Sequence, residues 1–137
     1  MFTMMIESIN NKMSSDLFSN NSYNYIFDRS HLGELVYAPL YRKYSGDYIL
    51  DIEKQYVNEL KDNLFMFVFV NDPETILKRD DGLSFYKNVE EVKIEKEAFE
   101  EAFNKSKIYH KYLINVSNHT PEEINNQIKN IILKANQ

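Results

Sequence analysis

A chain of 137 residues with 43% hydrophobic and 14% aromatic side chains can bury one real core, and is too short for a second domain. Its net charge of -5 and the lack of any Lys or Arg stripe argue against general DNA or RNA binding. Cysteine is absent, which excludes disulfides, thiolate metal sites and cysteine nucleophiles and agrees with a reducing cytoplasm.

The first segment places Phe2, Met5, Ile6, Ile9, Met13 and Leu17 at helical spacing and predicts an amphipathic helix to about residue 17. Lys12, Glu7 and Asp16 interrupt its apolar residues, so it does not read as a secretory signal. Ser19 to Ser22 is turn-prone, and a short strand is expected from Tyr23 to Phe27, ending at Asp28. His31 to Arg42 reads as a helix on Leu32, Leu35, Val36 and Leu40, with Ser30 available as a cap and Pro39 ending or kinking it. After Ser45-Gly46-Asp47, the spacing of Ile49, Leu50, Ile52, Tyr56, Val57 and Leu60 predicts another helix to about Asn63.

Leu64 to Val70 is continuously apolar, aromatic and β-branched, as suits a strand covered on both faces of a parallel sheet. It is far too short to span a bilayer, which needs about 20 residues in a helix, so no membrane association is expected. Asn71-Asp72-Pro73 starts a short helix through Leu77, and Lys78-Arg79-Asp80-Asp81-Gly82 reads as a mobile charged loop. An amphipathic helix over Glu95 to Lys107, a strand over Ile108 to Val116 and a helix opening at Thr120-Pro121-Glu122-Glu123 complete the alternation. The pattern predicts an α/β fold, a three-layer sandwich with a short parallel sheet flanked by helices, in one domain over 1–137.

The run Tyr25-Ile26-Phe27-Asp28-Arg29-Ser30-His31-Leu32-Gly33-Glu34-Leu35-Val36-Tyr37, followed by Tyr41-Arg42, resembles the DR motif segment of phage-type thymidylate kinase-like proteins. Leu77 to Gly82 resembles the start of the lid in that deoxynucleoside monophosphate kinase family, and the resemblance extends over about 23–135, with a lid-like loop at about 78–93. It implies a P-loop NTPase fold, ATP and Mg²⁺ as cofactors, phosphoryl transfer to a nucleotide, and location in the cytoplasm, the host's if the gene is a phage's.

The family's phosphate-binding loop has no counterpart here. That loop needs G-x-x-x-x-G-K-S/T, because backbone N–H groups of glycines wrap the phosphates while Lys neutralises charge. The chain offers only Gly33, Gly46 and Gly82, and its Lys105-Ser106 pair follows helix-forming residues. By alignment with the family, residue 1 falls after the first strand, the P-loop and its helix, so the chain is expected to be an N-terminally truncated domain, inactive alone and without tightly bound ATP. In the family the missing strand lies between the DR strand and the strand that is here Leu64 to Val70. Its loss would leave two facing edges, to be closed by direct pairing, by a strand from an N-terminal kinase fragment, or by homo-oligomerisation.

Within this frame the resemblance gives Asp28, Arg29 and Arg79 catalytic roles, and Arg29, Glu34, Tyr37, Tyr41 and Arg42 the nucleoside monophosphate. Lys78, Arg79, Asp80 and Asp81 belong to the lid. Each residue also has an ordinary reading. Asp28 would cap a helix, Arg29 would pair with Asp28, Glu34 or a lid acid, and the loop acids would offset its cations. Glu34 and Tyr37 are expected near one another on one helical face, with Tyr41 and Arg42 a turn further on, either as a pocket wall or as a surface helix. His31, His110 and His119 lack metal-ligand spacing, so no metal site is expected, and the Glu90-Glu91 and Glu95 to Glu101 clusters read as solvated faces. A non-catalytic nucleotide-binding or protein-interaction module on the same fold is the alternative function.

Overall fold

A computed structural model describes residues 2–8 and 24–135, with side-chain detail over 25–135. The elements in chain order are β1 (Phe2–Ser8), β2 (Asn24–Asp28), α1 (Leu32–Tyr37), a π-helical turn (Ala38–Arg42), α2 (Tyr48–Tyr56), β3 (Leu64–Val70), α3 (Pro73–Lys78), α4 (Val89–Lys105), β4 (His110–Asn115) and α5 (Pro121–Ala135). The four strands form one sheet in the order β2-β1-β3-β4.

β3 behaves as its composition requires. Leu64, Met66, Val68 and Val70 face a core shared with Leu32, Leu35, Val36, Phe99, Ala102 and Ile108, while Phe65 and Phe67 face Ile114 and Ile128. Alternate residues of one strand therefore enter two cores, which makes the molecule a three-layer α/β sandwich with α1, α2 and α4 on one face and α5 on the other. β3 and β4 run parallel, with Phe67 opposite Tyr112 and their rings stacked at 5.4 Å.

Helix starts follow local chemistry. The Asp72 carboxylate accepts from Thr75 N–H at 3.1 Å, and the Asn88 amide oxygen accepts from Glu91 N–H at 2.9 Å. Thr120 and Glu123 form a reciprocal capping box, Glu123 N–H donating to Thr120 Oγ1 at 3.2 Å and Thr120 N–H to Glu123 Oε2 at 2.8 Å. The Ser30 hydroxyl accepts from Leu32 N–H at 3.3 Å ahead of α1. Pro39 sits at the start of the π-helical turn, where a residue without an N–H shifts the hydrogen-bond register, and the turn closes at Lys43 in the left-handed region (φ 61°).

The N-terminal segment departs from expectation. Residues 2–8 form a strand where the apolar spacing predicted a helix, and the remainder of that expectation, with the turn at Ser19 to Ser22, lies outside the described residues. β1 runs antiparallel to both neighbours, with Met5 opposite Phe27 on one side and Met66 on the other. It occupies the slot in which a strand was expected to be missing. A segment that inserts there hydrogen-bonds along both edges at once, which outweighs a local helical pattern that must find a surface for one face. None of the three expected closures applies within this sheet: β2 and β3 do not pair with each other, and the strand between them comes from this chain. The sheet is consequently mixed, with β2, β3 and β4 sharing one direction and β1 reversed.

Candidate functional site

α1 lies against α4, and their contact assembles an aromatic cluster around one carboxylate. The Tyr37 ring meets Phe99 edge-on at 5.7 Å and lies 5.9 Å from Tyr41. Tyr41 stacks on Phe85 from the 79–88 loop, at 4.7 Å and 22° between planes. The Tyr41 hydroxyl donates to Glu95 Oε2 at 2.7 Å. Glu95 is only 3% exposed, so it is not part of a solvated face as its Glu-rich surroundings suggested. Its position on α4 explains the difference, since Val92, Glu95, Phe99 and Ala102 share the buried stripe of the helix. A carboxylate on that stripe was the sequence signal, outweighed by the acidic neighbours.

Burial first, and then the negative charge of Glu95, push the Tyr37 phenol up to about 12, with Arg29 acting in the opposite sense. Tyr41 is raised further by burial and by its hydrogen bond to Glu95. Both phenols are therefore held as neutral donors beside flat aromatic faces. Arg29 stands at the exposed end of β2 with a positive φ of 74°, an uncommon conformation for a residue with a side chain. It has no ion pair among the described residues, so the expected bridges to Asp28, Glu34 or a lid acid are not formed there. Asp28 is exposed beside it.

Glu34 and Arg42 make no hydrogen bond or ion pair to Tyr37 or Tyr41 among the described residues. They form their own cluster, in which Arg42 Nη1 donates to Glu34 Oε2 at 2.8 Å and the Tyr48 hydroxyl to Oε1 at 3.0 Å, with the Tyr44 hydroxyl also on Oε1. Hydrogen bonds from Tyr44 and Tyr48 hold the Glu34 carboxyl below its ordinary value, with help from Arg42. The face expected to carry Glu34, Tyr37, Tyr41 and Arg42 together is thus divided in two. Glu34 and Tyr37 share α1, while Tyr41 and Arg42 lie in the π-helical turn, whose angular spacing differs from that of an α-helix.

Arg79 lies in a third place, a cleft of about 560 Å³ lined by Asn71, Asp72, Thr75, Val116, Ser117, Asn118 and His119. This is the carboxyl end of β3 and β4, where open α/β sheets place ligands. Ser117 ties the two loops, its hydroxyl donating to Asn71 Oδ1 at 2.9 Å and accepting from Asp72 N–H at 3.0 Å. Lys78, Arg79 and Asp81 are exposed, and neither Asp80 nor Asp81 pairs with the neighbouring cations among the described residues. Asp80 Oδ1 is buried with no hydrogen-bond partner among the described residues. The loop itself is shorter than the expected 78–93, since α3 continues through Lys78 and α4 already begins at Val89.

The glycines do not form a phosphate cradle. Gly33 is inside α1, Gly46 abuts the Glu34 carbonyl, and Gly82 stands in open space at φ 83°. These glycines therefore offer no backbone cradle for the triphosphate tail of ATP. No cluster of three or more His, Asp or Glu side chains that could hold a metal ion occurs among the described residues, and no helix there is long and apolar enough to cross a membrane. No protein-family model, no curated protein and no solved structure matches the chain.

Proposed function

We propose that this chain is a thymidylate kinase-like nucleotide-binding module that grips a deoxynucleoside monophosphate and does not transfer phosphoryl groups by itself. The observation that carries this reading is the neutral Tyr41 phenol, fixed by buried Glu95 at an aromatic face, with Arg29 close enough for its charge to act on Tyr37. A base would stack on the aromatic face, and the Arg29 guanidinium would take the phosphate through parallel N–H donors. Arg79, in the separate cleft beyond β3 and β4, has no phosphate loop to work with. Transfer from ATP lacks its usual backbone support in these residues.

Titration calorimetry of the full chain with dTMP and dCMP tests the reading. Micromolar binding that weakens at least tenfold in Arg29→Ala and Tyr41→Ala supports it, and nucleoside diphosphate formation with ATP and Mg²⁺ should be absent. Binding of no nucleotide would favour the second reading, a protein-interaction module. That reading rests on edge strand β2, where Ile26 is 67% and Phe27 42% exposed.

A further inference from the structure

The tyrosine cluster carries a cover of its own. Phe85 stacks on the Tyr41 ring at 4.7 Å and 22° and lies 6.3 Å from Tyr37, so one side chain of the 79–88 loop meets both tyrosines. Ring faces in contact stand about 3.5–4 Å apart, and a nucleobase between Phe85 and Tyr41 would need their planes roughly 7 Å apart. With ring centroids at 4.7 Å, that space is filled by the protein's own side chain. Phe85 is nevertheless 61% exposed, as suits a ring that rests on the cluster and is not built into it. The segment bearing it is lightly attached. Leu83 N–H donates to Asp81 Oδ1 at 3.0 Å and Lys87 Nζ to the Ser84 carbonyl at 3.2 Å, both inside the loop, and no hydrogen bond ties 82–85 to the rest of the fold among the described residues. Leu83 is 85% exposed, which leaves Phe85 as the large side chain that holds the segment down. Gly82, at φ 83° with nothing within 4 Å of an added Cβ, supplies a pivot at one end. Buried Tyr86 and the Asn88 cap of α4 fix the other.

We propose that Phe85 is an internal competitor for the nucleobase, which occupies the Tyr41 face until a nucleotide displaces it and then swings out about Gly82. The inference rests on the nucleotide reading above and adds to it the contact that must break before the base can stack. A base and a phenylalanine ring offer Tyr41 the same kind of flat apolar face, so the two exclude one another. The apparent affinity is then lowered by the fraction of molecules in which the face is open. With an aromatic pair of ordinary strength holding the cover, that fraction is roughly one in three to one in ten.

Titration calorimetry of the full chain with dTMP and dCMP, wild type beside Phe85→Ala, tests the proposal, and nuclear magnetic resonance of phenylalanine-labelled wild type supplies a second readout. Phe85→Ala should bind the nucleotide about three- to tenfold more tightly, the worth of one aromatic pair. In the wild type the Phe85 ring protons, shielded by Tyr41 without nucleotide, should move to unstacked positions as the nucleotide saturates. Equal or weaker binding by Phe85→Ala where the wild type binds, or ring signals that stay shielded at saturation, would overturn the competitor role and leave the nucleotide reading standing. Absence of binding by both proteins would overturn the two together.

Discussion

Tyr41 and Glu95, 54 residues apart in the chain, meet through a 2.7 Å hydrogen bond that fixes the phenol on the π-helical turn to the buried stripe of α4. Removing the acceptor by Glu95→Ala leaves a buried donor and a void, and should cost about 2 kcal/mol in urea denaturation. Glu95 also carries a pH signature, through the neighbouring Tyr37. Tyr37 has an ordinary value of 10.0 and is raised to about 12 in the fold, first by burial and then by Glu95. A raised folded value gives stability that is complete below the unfolded value and is lost as pH rises through the folded one. Stability should therefore decline between about pH 10 and 12, and Glu95→Gln should shrink that decline when denaturation midpoints are compared across the range.

Glu53 works at the acid end. Burial pushes its carboxyl up, but hydrogen bonds from His31, the Lys107 N–H and Ser106 together hold it below the ordinary 4.5. A depressed carboxyl contributes stability above its unfolded value and loses it as pH falls through the folded one. Thermal melts of the wild type should thus weaken progressively below about pH 4.5, and Glu53→Gln should flatten that limb. Glu53→Ala, which strands three donors, should cost about 2–4 kcal/mol at neutral pH.

Two glycines in neighbouring segments should respond oppositely. A Cβ on Gly46 would lie 2.4 Å from the Glu34 carbonyl oxygen and 2.8 Å from Leu35 Cα, both backbone atoms that cannot step aside. Gly46→Ala should destabilise by about 1–3 kcal/mol. On Gly33 the nearest atom is Tyr37 Cε2 at 3.5 Å, an ordinary contact within α1, so Gly33→Ala should be neutral or stabilise by up to about 1 kcal/mol. Chemical denaturation of both variants under one set of conditions checks the contrast.

Met5 tests the central strand, because its backbone lies between Phe27 and Met66. Met5→Pro removes a ladder donor and forces the ring into a strand paired on both sides, with an expected loss of about 3 kcal/mol or more. Amide exchange of β2 and β3 should accelerate in the same variant. Unchanged protection along both neighbours would show that β1 does not hold them.

The local half of this protein was readable from one end to the other of its later segments. Leu64 to Val70 could be nothing but a doubly covered strand, and Thr120-Pro121 with Glu123 announced α5, since each depends on residues a few positions apart. The spacing of His31 excluded a metal site, yet its partner Glu53, 22 residues away, could not be named. Acidic neighbours on α4 mask the place of Glu95 on an apolar stripe. Glu34 and Arg42 were legible only as neighbours on a helical segment, without the hydrogen bonds from Tyr44 and Tyr48 that share the carboxylate.

Composition and short-range pattern by themselves determined the α/β sandwich, the buried strand at its centre and the absence of a glycine phosphate loop, because side-chain volume, turn chemistry and helix capping act over a few residues. Only the tertiary structure decided that residues 2–8 are a strand and that Glu95 is buried beneath Tyr41. Both outcomes are set by partners distant in sequence. Two open sheet edges and a phenol donor supply free energies that no local window contains.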